Sequence, residues 1–166
     1  MKKGTNMRII KAAYEHFEIV QKIVNETIGT AYPNYYPQGA VDFFLRHHSR
    51  EAIQKAIAGN EVFLLEAEGE FVGTGSIKEN EINRLFVLPA YQGKGFGTFM
   101  MDELEELIFA AYPEAVLDAS LPAYEMYSHR GYVPVEYHRI KTDNGHYLCY
   151  HVMKKGCCGK SDSPSD

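Results

Sequence analysis

The apolar positions of this chain change period several times, and each change predicts an element. Residues 7–12 alternate as a short strand, after which Phe17, Val20, Ile23, Val24 and Ile28 recur at helical spacing and predict a helix over 15–28. Residues 30–39 (TAYPNYYPQG) keep no period and predict a turn-rich aromatic loop. Two short helices follow over 40–47 and 50–58, with Ser49 as N-cap of the second. Three strands come next, over 62–67, 71–78 and 81–88. The links between them, Glu68-Gly69-Glu70 and Glu79-Asn80, are short and polar, as between antiparallel neighbours. Over 93–111, Phe96, Phe99, Met100, Leu104, Leu107, Ile108 and Ala111 make one helical stripe. A strand over 115–119, a short helix over 122–130 and a hairpin of 132–138 with 147–153 complete the pattern. A helix between strands 81–88 and 115–119 makes those two parallel, so the predicted sheet is mixed and mostly antiparallel, with about seven strands and flanking helices.

Length and composition add limits. The 166 residues suit one domain, running to residue 155, without repeats or linkers. Residues 156–166 (GCCGKSDSPSD) are polar and turn-rich and predict a disordered tail. No apolar run approaches the ~18 residues needed to cross a membrane, so no membrane association is expected. Residues 1–6 carry basic side chains with no apolar stretch behind them, so no secretory leader is expected and the cytoplasm is the expected compartment. The net charge of −5 comes with no basic stripe, which argues against a nucleic-acid partner and suits a cationic substrate slightly better than an anionic one.

Metal chemistry is not expected. Cys149 lies in an alternating apolar run and reads as core, while Cys157 and Cys158 are adjacent and have no second ligand pair. His47 and His48 diverge on their helix, and His129, His138, His146 and His151 show no ligand spacing. The pattern does not select an oligomeric state, and a homodimer stays open.

The densest chemical signal is the run RLFVLPAYQGKGFG from Arg84 to Gly97, where a strand ends, a loop turns and alternating glycines open a helix. Glycines let backbone N–H groups converge on a ligand, and the unpaired N–H groups of a first helical turn add positive character, which together favour a pyrophosphate. A P-loop is excluded because Gly95-Phe96 stands where Lys-Ser/Thr is needed. A dinucleotide-binding oxidoreductase is weighed, with Asp118 near the place of a ribose-binding acid. It is the poorer fit, because the glycines follow GxGxG spacing after an antiparallel meander.

Gln92, Gly95 and Gly97 match the Q/R-x-x-G-x-G/A signature of the GNAT acetyltransferase superfamily, and LFVLPAYQGKGFG resembles that family's strand, turn and pyrophosphate loop. Ala123, Met126, Tyr127, Gly131 and Tyr132 fall into register with its second motif, N-x-x-A-x-x-(L/F)-Y-x-x-x-G-(F/Y), with Ser120 where Asn is common. The resemblance implies acetyl-CoA as co-substrate and a small-molecule or peptide amine as acceptor. It implies a pyrophosphate loop of Gln92, Gly93, Lys94, Gly95, Phe96, Gly97 and Thr98. Pantetheine would pair with the main chain at Leu85, Phe86 and Val87 and would meet Ser120, and the N–H near Val87 would serve the oxyanion. Tyr127 takes the place of the general acid near the sulfur. Glu81 takes the place of a base acting directly or through water, and a solvated carboxylate at a strand start is the alternative. Glu81 shares strand parity with Asn83, Leu85 and Val87 on a regular strand. Tyr32, Tyr35 and Tyr36 stand where acceptor loops lie. A catalytically silent acyl-CoA-binding regulatory module has the same motifs and stays open.

Overall fold

Seven strands join in one sheet in the computed structural model, which describes residues 6–157. They are β1 (Met7–Lys11), β2 (Val62–Ala67), β3 (Glu70–Lys78), β4 (Glu81–Val87), β5 (Glu114–Ala119), β6 (Val133–Lys141) and β7 (Tyr147–Gly156). The order across the sheet is β1-β2-β3-β4-β5-β7-β6. Each neighbouring pair is antiparallel except β4 with β5, the pair linked through a helix. The mixed sheet expected from the sequence is the one observed.

Helices cover both faces. On one side lie α1 (Phe17–Ala31), α2 (Gln38–His47) and α3 (Arg50–Ala58), packed through Val20, Ile23, Val24 and Ile53 on Val62, Leu64 and Phe86. On the other side, α4 (Phe96–Phe109) and α5 (Tyr124–His129) pack on Leu65, Ile82, Ala115 and Leu117. Ser49 caps α3 as expected, its hydroxyl accepting from the Ala52 N–H at 3.3 Å. Gly131 ends α5 in the left-handed conformation that a helix terminus favours, at φ 93°.

Several expected boundaries shift for identifiable reasons. α4 begins at Phe96 rather than at residue 93, because Gly93 and Gly95 take φ of 71° and 87°, which no right-handed helix contains. Its buried stripe takes Met101 and Glu105 in place of Leu107, which is 47% exposed. Glu105 is buried because Arg130 and Lys155 reach it at 3.0 and 2.9 Å. The loop over 30–39 is tighter than expected, with α1 running to Ala31 and a 3-10 turn over Tyr32–Asn34. A second 3-10 turn, Leu121–Ala123, precedes α5. Cys149 is half-buried rather than core. β7 reaches Gly156, and the Cys157 N–H donates to the Pro113 carbonyl at 2.9 Å, so described structure enters the segment expected as a tail. Residues 158–166, Cys158 among them, lie outside the described residues.

Candidate active site

The site begins where two parallel strands stop pairing. β4 and β5 are in register only at Glu81 with Val116 and Ile82 with Leu117, and they part beyond. A bulge at Arg84 accompanies the parting: its φ is 50°, and the β3–β4 register slips between Thr74 and Ser76, so that Arg84 and Leu85 stand opposite Gly75. A bulge bends its strand and inserts one residue into the alternation. Glu81 and Asn83, flanking inward-packed Ile82, therefore lie on the α1–α3 face with Phe86. Leu85 and Val87 pack on the α4 side. This corrects the parity expected of a regular strand, on which Glu81 and Asn83 would share a face with Leu85 and Val87.

Beyond the bulge the main chain of β4 faces the gap. The Leu88 N–H donates to the Val72 carbonyl at 2.9 Å, so by alternation the Val87 N–H and carbonyl point away from β3 toward the space left by β5. The Val87 carbonyl accepts from the Gln92 side chain at 2.9 Å and from the Thr27 hydroxyl at 3.4 Å. Gln92 thereby folds the loop back onto its own strand.

The glycine loop lies at one mouth of the gap. Side chains added at Gly93 or Gly95 would meet no atom within 4 Å, so open space surrounds this turn and left-handed backbone is what demands glycine. Gly95 caps α4, and the first hydrogen bond into it runs from the Phe99 N–H to the Gly95 carbonyl at 3.0 Å. The N–H groups of Phe96, Gly97 and Thr98 have no acceptor within the helix. The Phe96 side chain is buried against Tyr91, and Phe96 and Lys94, unlike the other residues of this loop, do not line the cavity in the gap. Lys94 turns back, its Nζ bonding the Ala90 carbonyl at 3.0 Å and lying 5.5 Å over the Tyr91 ring.

From this mouth a cavity of about 790 Å³ runs through the gap to the α1–α3 face, lined by Gln92, Gly93, Gly95, Gly97 and Thr98 at one end and Glu81, Arg84, His48 and Asp118 at the other. Tyr127, Ser120, Leu85, Phe86 and Val87 line it as well. Tyr127 is 6% exposed, and burial pushes its hydroxyl above the ordinary range, with Tyr32 adding to the rise and Arg130 opposing it. It therefore stays protonated throughout the working pH range and can act as a proton donor.

The aromatic loop divides its roles. Tyr32 is buried in the cavity wall close to the Ser120 hydroxyl. Tyr36 is a strut: its hydroxyl accepts from the Leu121 N–H at 2.7 Å and donates to the Cys149 carbonyl at 3.3 Å. Tyr35 is 54% exposed and faces away.

Charge gathers at the far end. Glu81 is raised above its ordinary range by burial and by Asp118, with Lys78 opposing. Asp118 is likewise raised by burial, with His138 and His47 opposing and Glu136 adding to the rise. Asp118 alternates with Ala115, Leu117 and Ala119 of the α4-side core, which puts it on the same face as Glu81. His48 is held near pKa 3 by burial, with Arg84 and then His47 adding to the fall, so it is neutral. Sequence patterning did not assign Asp118, His48 or Arg84 to this site, because they come from three elements that only the fold brings together. Among the described residues, no cluster of three metal-ligating side chains occurs and no helix is long and apolar enough to cross a membrane.

The profile of the acetyltransferase (GNAT) domain family matches residues 31–155. A GCN5-related N-acetyltransferase from Rhodopseudomonas palustris shares the fold at TM-score 0.82 and 23% identity, over 95% of this chain and 98% of that one. PaiA N-acetyltransferase from Thermoplasma acidophilum, solved with coenzyme A, aligns at TM-score 0.69 and 18% identity over 92% of this chain and 99% of its own. YncA from Salmonella typhimurium, solved with acetyl-CoA as its cofactor, aligns at TM-score 0.69 and 16% identity over 96% and 98%. No curated protein matches the sequence significantly.

Proposed function

The chain belongs to the acetyltransferase (GNAT) domain family, and from that premise we propose that it moves an acetyl group from acetyl-CoA to a primary amine by direct attack. The observation that carries the reading is that one cavity is lined by Gly93 and Gly95 of the glycine turn, by Val87, whose N–H is free of β3, and by Tyr127. Left-handed Gly93 and Gly95, with open space around them and free first-turn N–H groups beyond, suit a pyrophosphate. Acetyl-CoA supplies the thioester.

The chain's own groups then divide the work. The Val87 N–H, free of β3, is available to an oxygen that gains negative charge. Glu81 or a water beside it takes the proton from the attacking nitrogen, and its raised carboxyl brings it nearer the working pH of a base. As the C–S bond breaks, Tyr127 gives its proton to sulfur and recovers one from solvent. Ser120 stands in the same wall, held by the Leu121 segment that Tyr36 anchors.

Release of coenzyme A thiol across a panel of primary amines tests the reading, with Tyr127→Phe as the variant. General-acid help is worth roughly 10²–10⁴ in rate, so the variant is expected to lose about a hundredfold or more while still binding coenzyme A. Unchanged turnover in Tyr127→Phe would remove it from the mechanism. Coenzyme binding with no turnover of any amine would favour a silent acyl-CoA-binding module, and no response to coenzyme A would end the reading altogether.

A further inference from the structure

We propose that the acceptor carries a carboxylate close to the amine it presents, and that Arg84 is the group that binds this carboxylate. The inference rests on the acetyl-transfer reading and extends it to the chemical class of acceptor, an amino-acid-like zwitterion.

The chain shows how it treats an arginine that serves structure. The Arg130 side chain is 14% exposed, and its Nη2 lies 2.8 Å from Asp102 and 3.0 Å from Glu105. Arg84 receives no such treatment. Among the described residues it enters no salt bridge. Its Nε is buried without a hydrogen-bond partner, and it lines the cavity. Burial lowers its basicity and Glu61 offsets this only in part. Its other neighbour, His48, is neutral and adds no counter-charge. A half-buried cation with an unsatisfied Nε and no salt bridge is under-paired at a cost, so the missing partner points to a ligand anion.

Position adds to this. Arg84 sits at the bulge, three residues along β4 from Glu81, about 10 Å between Cα atoms at ordinary strand rise and less where the strand bends. Both residues line the cavity, and their electrostatic neighbours link them, since Arg84 and His47 act on His48, His47 acts on Asp118, and Asp118 acts on Glu81. One molecule can therefore present its amine toward Glu81 and Asp118 and its anion toward Arg84. A carboxylate suits the guanidinium fork, which pairs with it through two parallel hydrogen bonds. A phosphate dianion suits the place less well, because Glu61, Glu81 and Asp118 line the same cavity and repel a second negative charge as well as the first.

The test compares amino acids with their carboxamides, with simple alkylamines and with O-phosphoethanolamine, in wild type, Arg84→Gln and Arg84→Lys. Thiol release gives kcat/KM. Calorimetric titration of the same amines, with and without coenzyme A, gives binding independently of turnover. A charged hydrogen-bonded pair is worth roughly tenfold to a hundredfold in binding, so the best amino acid is expected to exceed its amide by that factor. Arg84→Gln should remove the advantage mainly through KM and Kd, and Arg84→Lys should restore part of it. Melting of each variant with coenzyme A checks that the fold is kept. Equal use of acid and amide, preference for O-phosphoethanolamine, or an acid preference that survives Arg84→Gln would overturn the proposal. Loss of turnover with every amine would strike the acetyl-transfer reading instead. Titration would then still decide on Arg84: acid binding that Arg84→Gln abolishes upholds the carboxylate site, and absence of acid binding overturns it.

Discussion

One chemical change, Gly→Ala, should have opposite effects at two positions only two residues apart. Gly95 has φ 87° and ψ 1°, and an added Cβ there meets no atom within 4 Å. Its cost is then purely conformational, about 1–2 kcal/mol for a non-glycine residue held left-handed. Gly97 lies inside α4, where an added Cβ meets only Val87 Cγ2 at 3.9 Å, an ordinary contact. There the change relieves the entropic handicap of a helical glycine, worth roughly 0.5–1 kcal/mol. For a chain of this length 1 kcal/mol moves the melting temperature by about 2–4 °C. Gly95→Ala is thus expected to melt about 2–8 °C below wild type and Gly97→Ala about 1–4 °C above it. Coenzyme A at about 100 times its dissociation constant adds about 2.7 kcal/mol, or roughly 5–11 °C, to wild type. Gly97→Ala should keep that shift, since the family signature accepts alanine there. Gly95→Ala should lose most of it, because relaxing the strained turn redirects the N–H groups of the cradle. Scanning calorimetry with and without coenzyme reads both effects. If Gly95→Ala were as stable as wild type, the left-handed turn would be wrong; if it were destabilised but kept the full coenzyme shift, the turn would not be the cradle.

Three other outcomes are expected. The Glu81 carboxyl is raised in the folded protein by burial and by Asp118, so its ionisation opposes folding once pH passes the ordinary carboxylate range. Glu81→Gln should therefore match wild type in urea midpoint near pH 3 and exceed it at pH 8, while acetyl transfer falls and the acid limb of its pH profile disappears; equal midpoints at pH 8 would contradict the assigned environment. Tyr36→Phe removes the hydroxyl that joins the Leu121 N–H to the Cys149 carbonyl. It should cost roughly 1–3 kcal/mol in urea unfolding and lower kcat by loosening the wall that holds Ser120, and retention of both would show the strut to be idle. Arg130→Met strips one partner from Glu105, which is 6% exposed and keeps only Lys155 at 2.9 Å. A loss of about 3 kcal/mol is expected, the low end for a broken buried pair, and a change below about 1 kcal/mol would count against that pairing.

The fold was legible wherever one physical rule acted alone. Short polar links forced antiparallel neighbours, a helix between two strands forced a parallel pair, and Ser49 announced its cap. The glycine turn was legible for the same reason, since left-handed backbone at Gly93 and Gly95 leaves its mark in residue type. Arg84 leaves no such mark. It takes φ 50° where glycine would be the ordinary choice, so nothing in the sequence warned that β4 changes parity there and carries Glu81 and Asn83 to the other face. The same residue violates a second rule by leaving the buried Nε of a half-buried cation unsatisfied and without a salt bridge. A left-handed non-glycine residue costs of order 1 kcal/mol or more, and an unsatisfied buried donor adds to it. Local stability alone would have replaced Arg84 with a small residue. Where two costs fall on one side chain that opens on the cavity, the compensation is expected from what the cavity binds, and both the sequence pattern and the packing are blind to that term.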